Sequence, residues 1–417
     1  MAQPNQELST ISRCRLCLSS AVLPAFELAP TPPANNLISP NELSDTDQLY
    51  PLRLLLCDAC RHLQLQDIVN PELLFRDYLY VSGTSAIFVE HFREYFSALD
   101  TYFKPIHKPF VVEIGSNDGT LLQFFLENNY RILGIDPAQS LAEGASGRGI
   151  TTIPSFFNKQ LATKIVKEHD KADAIIANNV FAHIPDIRDF TEGVQLLLNS
   201  AGIFVFEVSY LVDVLENTLF DTIYHEHVSY HTLTPLVSFF AGFDLEIFDA
   251  HRVNTHGGSI RVFVQHKTSS RATSKRFEDL LLEERRKKLG DLSTYKEFFS
   301  QIEVCKLTVC EMVNNLKRSG QSIAGFGAPA KATTLLHHFS LGSNALDFVV
   351  DDNPLKQGKL IPGVRIPIVN RDKLKDARPD VLVILAWNFS DSIIEQLGWY
   401  KEMGGRFLVP LPKPLFK

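Results

Sequence analysis

The stretch Val111-Val-Glu-Ile-Gly-Ser-Asn-Asp-Gly-Thr-Leu-Leu122 decides the fold of this chain. An apolar run reads into a glycine turn and straight on into a helical pattern, the strand–turn–helix opening of a nucleotide-type α/β unit. Gly115 and Gly119 let the backbone bend sharply and approach a ligand with no Cβ in the way. The pattern is E-x-G-x-N-D-G rather than G-x-G-x-x-G, and it has no P-loop lysine. Glu113, Asn117 and Asp118 replace a bare-amide cradle, and an acidic loop suits a cation better than a pyrophosphate. Asp136, followed by Pro137, closes the next strand at the point where acidic residues of dinucleotide folds hold a ribose diol. These features favour S-adenosylmethionine, whose sulfonium and ammonium are positive. An NAD-binding turn is the alternative that the charge of the loop disfavours.

Strands and helices alternate outward from this loop. Strands are predicted at Phe110–Ile114, Arg131–Ile135, Ala174–Ala177 and Gly202–Val208, and helices at Leu121–Asn128, Leu141–Gly147 and Ile187–Leu198. This alternation implies an open parallel sheet, finished by an antiparallel pair at Asp244–Asp249 and Ile260–His266. Asn178 follows one strand at the carboxyl edge where ligands bind, and His183 lies close behind it, although a purely local role for that histidine stays open. Helical periodicity covers 76–105, with Phe88, His91, Phe92 and Phe96 on one side, and returns in amphipathic runs at Phe277–Leu289 and Tyr295–Arg318. A second alternation begins at Ser322: strands at Ile323–Gly325, Ala345–Asp351, Val381–Leu385 and Arg406–Val409, and a helix at Ala330–His338. Its loop, Gly325-Phe-Gly-Ala-Pro-Ala-Lys331, repeats the glycine logic with a basic charge. Gly325, Gly327, Ala328 and Lys331 at a helix N-terminus make an anion site, unless Lys331 is a plain surface residue. Asp351-Asp-Asn353 ends the following strand, placing Asp351 to bond a sugar hydroxyl.

The predicted organisation is α/β: a zinc-binding module at 1–75, a Rossmann-like S-adenosylmethionine-binding domain at 76–275 with a helical lead-in at 76–105, a helical connector at 276–318 and a second Rossmann-like domain at 319–417. The 417 residues, 45% of them hydrophobic, suffice for several cores. The formal charge of −7 and the lack of a Lys/Arg stripe argue against nucleic acid as a partner. No apolar stretch is long enough to span a membrane, and MAQPNQELST has no secretory pattern, so the expectation is a soluble, cytoplasmic monomer. In the proline-rich first segment, Cys14/Cys17 and Cys57/Cys60 form C-x-x-C pairs whose knuckles together complete a Cys₄ zinc site of structural type. A thioredoxin-like redox pair is the alternative, but no βαβ pattern surrounds either C-x-x-C.

The run Tyr224-His225-Glu226-His227, with His231 shortly after, packs proton acceptors and donors into one turn. Such a cluster can abstract a proton beside a carbonyl. Metal ligation, or a satisfied polar turn with no chemistry, remains open on these residues alone.

In order along the chain, the paired C-x-x-C, Tyr78-Leu-Tyr80 with Ser82-Gly83, VEIGSNDGTLL, NNVFAHIPD, YHEHVSYHT, His256-Gly-Gly-Ser-Ile-Arg261 and GFGAPAKATTLL resemble the nucleotide-sugar C-methyltransferases. Those enzymes add branching methyl groups to 4-keto-6-deoxyhexoses carried on a nucleoside diphosphate. The resemblance implies that the middle domain holds S-adenosylmethionine and that the C-terminal domain anchors a TDP-, GDP- or CDP-linked sugar. It implies His227 as general base, with Tyr224 and Glu226 beside it and Tyr78 and His183 lining the same cleft; either Tyr78 or Tyr80 faces the sugar. Glu226 is expected to fix the imidazole tautomer, and Tyr224, Tyr78 or His183 to steady the oxyanion. The expected reaction is methylation at C3 through an enolate. Methylation at C5, sugar O-methylation and a non-catalytic nucleotide-sugar binder are the alternatives.

Overall fold

The computed structural model describes residues 7–42, 47–76, 78, 81–84, 86–103, 108–255 and 257–417. Tyr80 and His256, named above, lie outside the described residues. The middle sheet has seven strands, in the spatial order Leu245–Val253, Ser259–His266, Leu198–Ser209, Ala172–Asn178, Phe110–Ile114, Arg131–Ile135, Thr152–Ile153. All neighbours are parallel except at Ser259–His266, which runs antiparallel to the strands on both sides. Chain order reverses between Phe110–Ile114 and Ala172–Asn178, and such a switch point opens a ligand crevice at the carboxyl ends of the strands. Phe110–Ile114 is buried throughout, which is why it reads as an apolar run interrupted only by Glu113. The helix Ala86–Phe103 closes one face, with Phe92, Tyr95, Leu99 and Phe103 packed inward.

The C-terminal sheet has six strands, ordered Ile368–Val369, Val349–Val350, Ile323–Phe326, Val381–Ile384, Arg406–Val409, Leu415–Phe416. Its strands are parallel up to the last, and the order reverses beside Ile323–Phe326 just as it does beside Phe110–Ile114. The two units thus share the spatial order of their first five strands. The strand expected over Ala345–Asp351 is confined to Val349–Val350, because the amides of Ala345 and Leu346 both close a turn onto the Gly342 carbonyl.

Residues 1–75 hold more regular structure than their prolines suggest. Val22–Thr31, Tyr50–Cys57 and Leu63–Leu65 form an antiparallel sheet, completed by Ser229–Tyr230 from the middle of the chain. The helix Lys159–His169 was also not anticipated; its apolar positions are few, with Ala162 and Ile165 the buried ones. In the helix Leu292–Arg318, buried Tyr295, Phe298, Ile302, Cys305, Val309, Val313 and Leu316 recur at helical spacing. They share one core with Phe26, Leu52 and Leu54 of the N-terminal sheet and Leu335, Val349 and Leu382 of the C-terminal unit. The connector therefore packs the outer units together rather than spacing them apart.

Candidate active site

One cavity of about 950 Å³ is walled by all three units. Its middle-unit side follows from the glycine loop. Gly115 has φ +71°, and a Cβ there would lie 2.3 Å from Val180 Cγ2, so only glycine lets the loop turn this tightly. The turn brings Gly115 and Asn117 to the wall, and the carboxyl ends of three neighbouring strands bring Glu113, Asp136, Pro137 and Asn178. The Asp136 carboxylate accepts the amides of Asn117 at 2.8 Å and Ala138 at 2.9 Å, which fixes its position. Burial raises its pKa, partly offset by those two amides. Glu113 is buried, and its Oε2 has no hydrogen-bond partner among the described residues. Burial first, then the negative charges of Asp118 and Asp136, push its carboxyl well above the usual range. A buried acidic wall with an unpartnered oxygen fits the positive sulfonium and ammonium of S-adenosylmethionine.

Two residues expected at this cofactor site sit elsewhere. Asp118 is not on the cavity wall: its carboxylate takes the Thr120 hydroxyl at 2.8 Å and the Gly83 amide at 3.2 Å, tying the loop to residues 82–84. Gly119, φ +80°, is the N-cap of the helix Thr120–Glu127 and likewise off the wall.

The opposite side of the cavity repeats the design. Gly327, φ +87°, would place a Cβ 2.6 Å from that of Ala386. Asp351 accepts the Ala328 amide at 2.7 Å and the Asn353 amide at 2.8 Å, the same pair of bonds that Asp136 makes. Ala328, Lys331 and Asp351 line the cavity; Gly325, Gly327 and Asn353 do not. Both glycines shape the loop, and Asn353 caps its own turn through the Leu355 amide at 3.0 Å. Lys331 lies in the first turn of the helix Ala330–His338, donates to Asn388 Oδ1 at 2.6 Å and lies 4.6 Å from the Trp387 ring centre. Burial lowers its pKa, and nearby Asp221 opposes this. A second ammonium, Lys356, donates to the Ala328 carbonyl at 2.8 Å.

Between these ends lies the run 224–227, and the turn sends Tyr224 and His227 into the cavity but His225 and Glu226 away from its wall. Tyr224 and His227 line the cavity, with ring centres 4.2 Å apart. His183 stacks on His227 at 5.0 Å and Phe75 on His183 at 5.5 Å, so these rings make one aromatic wall. His227 Nδ1 is 2.7 Å from the Thr222 carbonyl. A carbonyl only accepts, so Nδ1 carries the proton and Nε2 keeps the basic lone pair. The expectation that Glu226 fixes this tautomer is thereby corrected. Glu226 is buried off the wall, accepting from Asn35 at 2.6 Å and from the Tyr78 hydroxyl at 3.1 Å. Burial raises its pKa to about 7, partly offset by those two donors. His225 points away into the N-terminal sheet, fully buried, and donates through Nε2 to the Tyr50 carbonyl at 3.2 Å. His231 is buried behind the cavity, 3.4 Å from the Phe181 carbonyl.

Asn35, Phe75, Thr222, Lys356 and Asn388 also line the cavity and were not anticipated. Asn388 had a readable signal: it follows the strand Val381–Ile384 at its carboxyl end, as Asn178 ends Ala172–Asn178. Thr222 acts through its carbonyl, which no side-chain pattern reveals.

The four cysteine sulfurs lie within 4.8 Å of one another. Cys14–Cys60 and Cys17–Cys57 are 3.5 and 3.6 Å apart, close to the edge of about 3.8 Å that a tetrahedron with Zn–S of about 2.3 Å requires. Leu18 and Arg61, at φ +62° and +70°, close the two knuckles by donating to the carbonyls of Cys14 and Cys57. Zinc fits these ligands.

Three family models match in succession: a zinc binding domain at 14–75, a methyltransferase domain at 88–250 and a C-methyltransferase C-terminal domain at 254–412. The chain is 36% identical to the C-methyltransferase NovU of Streptomyces niveus over 404 residues, 97% of this chain and 96% of that protein. Among solved structures, a SAM-dependent methyltransferase from Anabaena variabilis is 17% identical over 41% of this chain and 83% of its own, with a TM-score of 0.33. Magnesium protoporphyrin IX methyltransferase from Synechocystis PCC 6803, with bound SAH, is 13% identical over 43% of this chain and 84% of its own, also with a TM-score of 0.33. Near-complete coverage by the Streptomyces protein, a glycine loop with an acidic wall and a matched Cys₄ set lead to one conclusion: the chain belongs to the S-adenosylmethionine-dependent C-methyltransferases and carries a zinc-binding N-terminal domain.

Proposed function

We propose that the chain methylates C3 of a 4-keto-6-deoxyhexose linked to a nucleoside diphosphate. The observation that carries this reading is the position of His227. Its Nδ1 proton is committed to Thr222, and its ring lines a cavity with an acidic methyl-donor end and a second glycine loop that bears Lys331 and is met by Lys356. Carbon beside a ketone is acidified because its carbanion delocalises onto oxygen. His227 Nε2 takes that proton, and the pair left on carbon spreads into an enolate. Thr222 steadies the resulting imidazolium through the Nδ1 proton. The Tyr224 phenol and the His183 ring are the donors toward the enolate oxygen, while the Tyr78 hydroxyl is held by Glu226. Glu113, Asp136 and Asn178 hold S-adenosylmethionine, which when bound supplies an electrophilic methyl to the nucleophilic carbon. Ala328, Lys331 and Asp351, joined by Lys356 and Asn388, hold the nucleotide-sugar. The preference for C3 rests on the family resemblance, since C5 flanks the same ketone.

Incubation with methyl-labelled S-adenosylmethionine and TDP-, GDP- and CDP-linked 4-keto sugars, followed by NMR, tests the reading. The expected result is a labelled methyl on C3 with the 4-keto substrate and no transfer to the 4-hydroxy analogue. A methyl on a hydroxyl oxygen or on C5 would overturn it.

A further inference from the structure

The run that carries His227 is tied to the zinc module more tightly than to the sheet it follows in sequence. Ser229 and Tyr230 pair antiparallel with Gln64 and Leu63, so the residues directly after His227 form an edge strand of the N-terminal sheet. The Leu65 amide donates to the Val228 carbonyl at 3.0 Å. A side chain reinforces that seam. Arg15, between Cys14 and Cys17, is only 7% exposed; its guanidinium donates to the Val228 carbonyl and, at 3.1 Å, to the Leu65 carbonyl. Its backbone amide donates to Gln64 Oε1 at 2.9 Å, and Gln64 Nε2 donates to the Arg13 carbonyl at 3.0 Å. The knuckle, the strand Leu63–Leu65 and the residue after His227 are thereby one hydrogen-bonded piece.

Burying a guanidinium is costly and rarely repaid in stability alone. An arginine placed to bridge two backbone carbonyls in a planar fork gains geometric definition instead. We propose that Arg15 is a positioning residue for methyl transfer: by clamping the Val228 carbonyl to the Leu65 carbonyl beside the zinc knuckle, it fixes the backbone from which His227 reaches the substrate. The zinc module then has a part in catalysis, through the register of one turn, without touching the reacting atoms. The claim rests on His227 being the base. Arg188 supplies a built-in comparison, because it donates to the Leu16 carbonyl of the same knuckle at 2.9 Å.

The test compares R15M, R15K and R188M in the full zinc-loaded chain. It measures zinc content, S-adenosylmethionine affinity, kcat and KM, and deuterium exchange of peptides covering 224–231. In R15M, zinc stays bound and S-adenosylmethionine affinity is unchanged, while amide exchange over 224–231 rises about tenfold. In the same variant kcat falls about tenfold with KM nearly constant, the signature of a misplaced reacting group rather than lost binding. R15K keeps the charge but lacks the planar fork that holds both carbonyls in fixed geometry, so it recovers part of the loss. R188M matches the wild type in exchange and in kcat. Unchanged exchange in zinc-loaded R15M or R15K, or an equal effect in R188M, overturns the role of Arg15. Raised exchange with kcat intact overturns it differently, by showing that the 224–227 turn does not carry the base.

Discussion

His225 shows how much the environment decides at the residue scale. It is one of three histidines within seven residues, 225–231, yet it faces the N-terminal sheet, edge-on to the Tyr50 ring at 5.7 Å. Burial lowers its pKa to about 4, partly opposed by its hydrogen bond to the Tyr50 carbonyl. The sign of the pH effect follows. Above about pH 6.5 the ring is neutral in both folded and unfolded chains; below it the unfolded chain takes up a proton that the folded one excludes. This side chain's contribution to stability is therefore lost as the pH falls from about 6.5 toward 4. His225→Leu is expected to cost about 1–2 kcal/mol near neutrality through the lost bond to Tyr50. Its deficit should shrink with acidification by up to about 1.4 kcal/mol per pH unit. Urea unfolding of both proteins at neutral and mildly acidic pH checks this, and a deficit independent of pH would contradict it. The sequence located the cluster but could not orient it, because consecutive residues of a turn diverge and their partners, Tyr50, Thr222 and Asn35, come from distant segments.

At the scale of elements, legibility followed local signal. The strands Phe110–Ile114, Arg131–Ile135 and Arg406–Val409 and the helix Ala330–His338 match their expected bounds residue for residue. The N-terminal sheet was hidden because its pairing is non-local, its edge being closed by Ser229–Tyr230. The cysteine pairs were readable from spacing, since two intervening residues suffice to turn both sulfurs toward one point. A prediction belongs here. The knuckles join Ala21–Asp58 and Cys57–His62 backbone bonds to the root of that sheet, so removing zinc with a chelator should lower the melting temperature by several degrees and release one equivalent of metal. Complete metal removal with an unchanged melting temperature would show the site to be dispensable to the fold.

Across the whole molecule, the residues 221–231 are where the three units meet. Trp387 and Thr334 of the C-terminal unit hold the Asp221 carboxylate and the Ile223 carbonyl at 2.7 and 2.9 Å. Asn35 and Tyr78 hold Glu226 from the N-terminal side, and Leu211 of the middle unit donates to the His231 carbonyl at 3.1 Å. Both glycine loops contribute to the same cavity as this segment, with Glu113 and Asp136 at one end and Lys331 and Lys356, beside Asp351, at the other. The central claim is that His227 removes a carbon-bound proton. It is tested most directly without methyl transfer, by following with NMR the exchange of substrate protons for deuterium in D₂O at the carbons flanking the ketone. With the wild-type protein, the C3 proton of the nucleotide-linked 4-keto-6-deoxyhexose should wash out. In a folded H227A variant that still binds S-adenosylmethionine, the exchange should fall by a factor of about 100 or more. Wash-out by H227A at the wild-type rate would contradict the account.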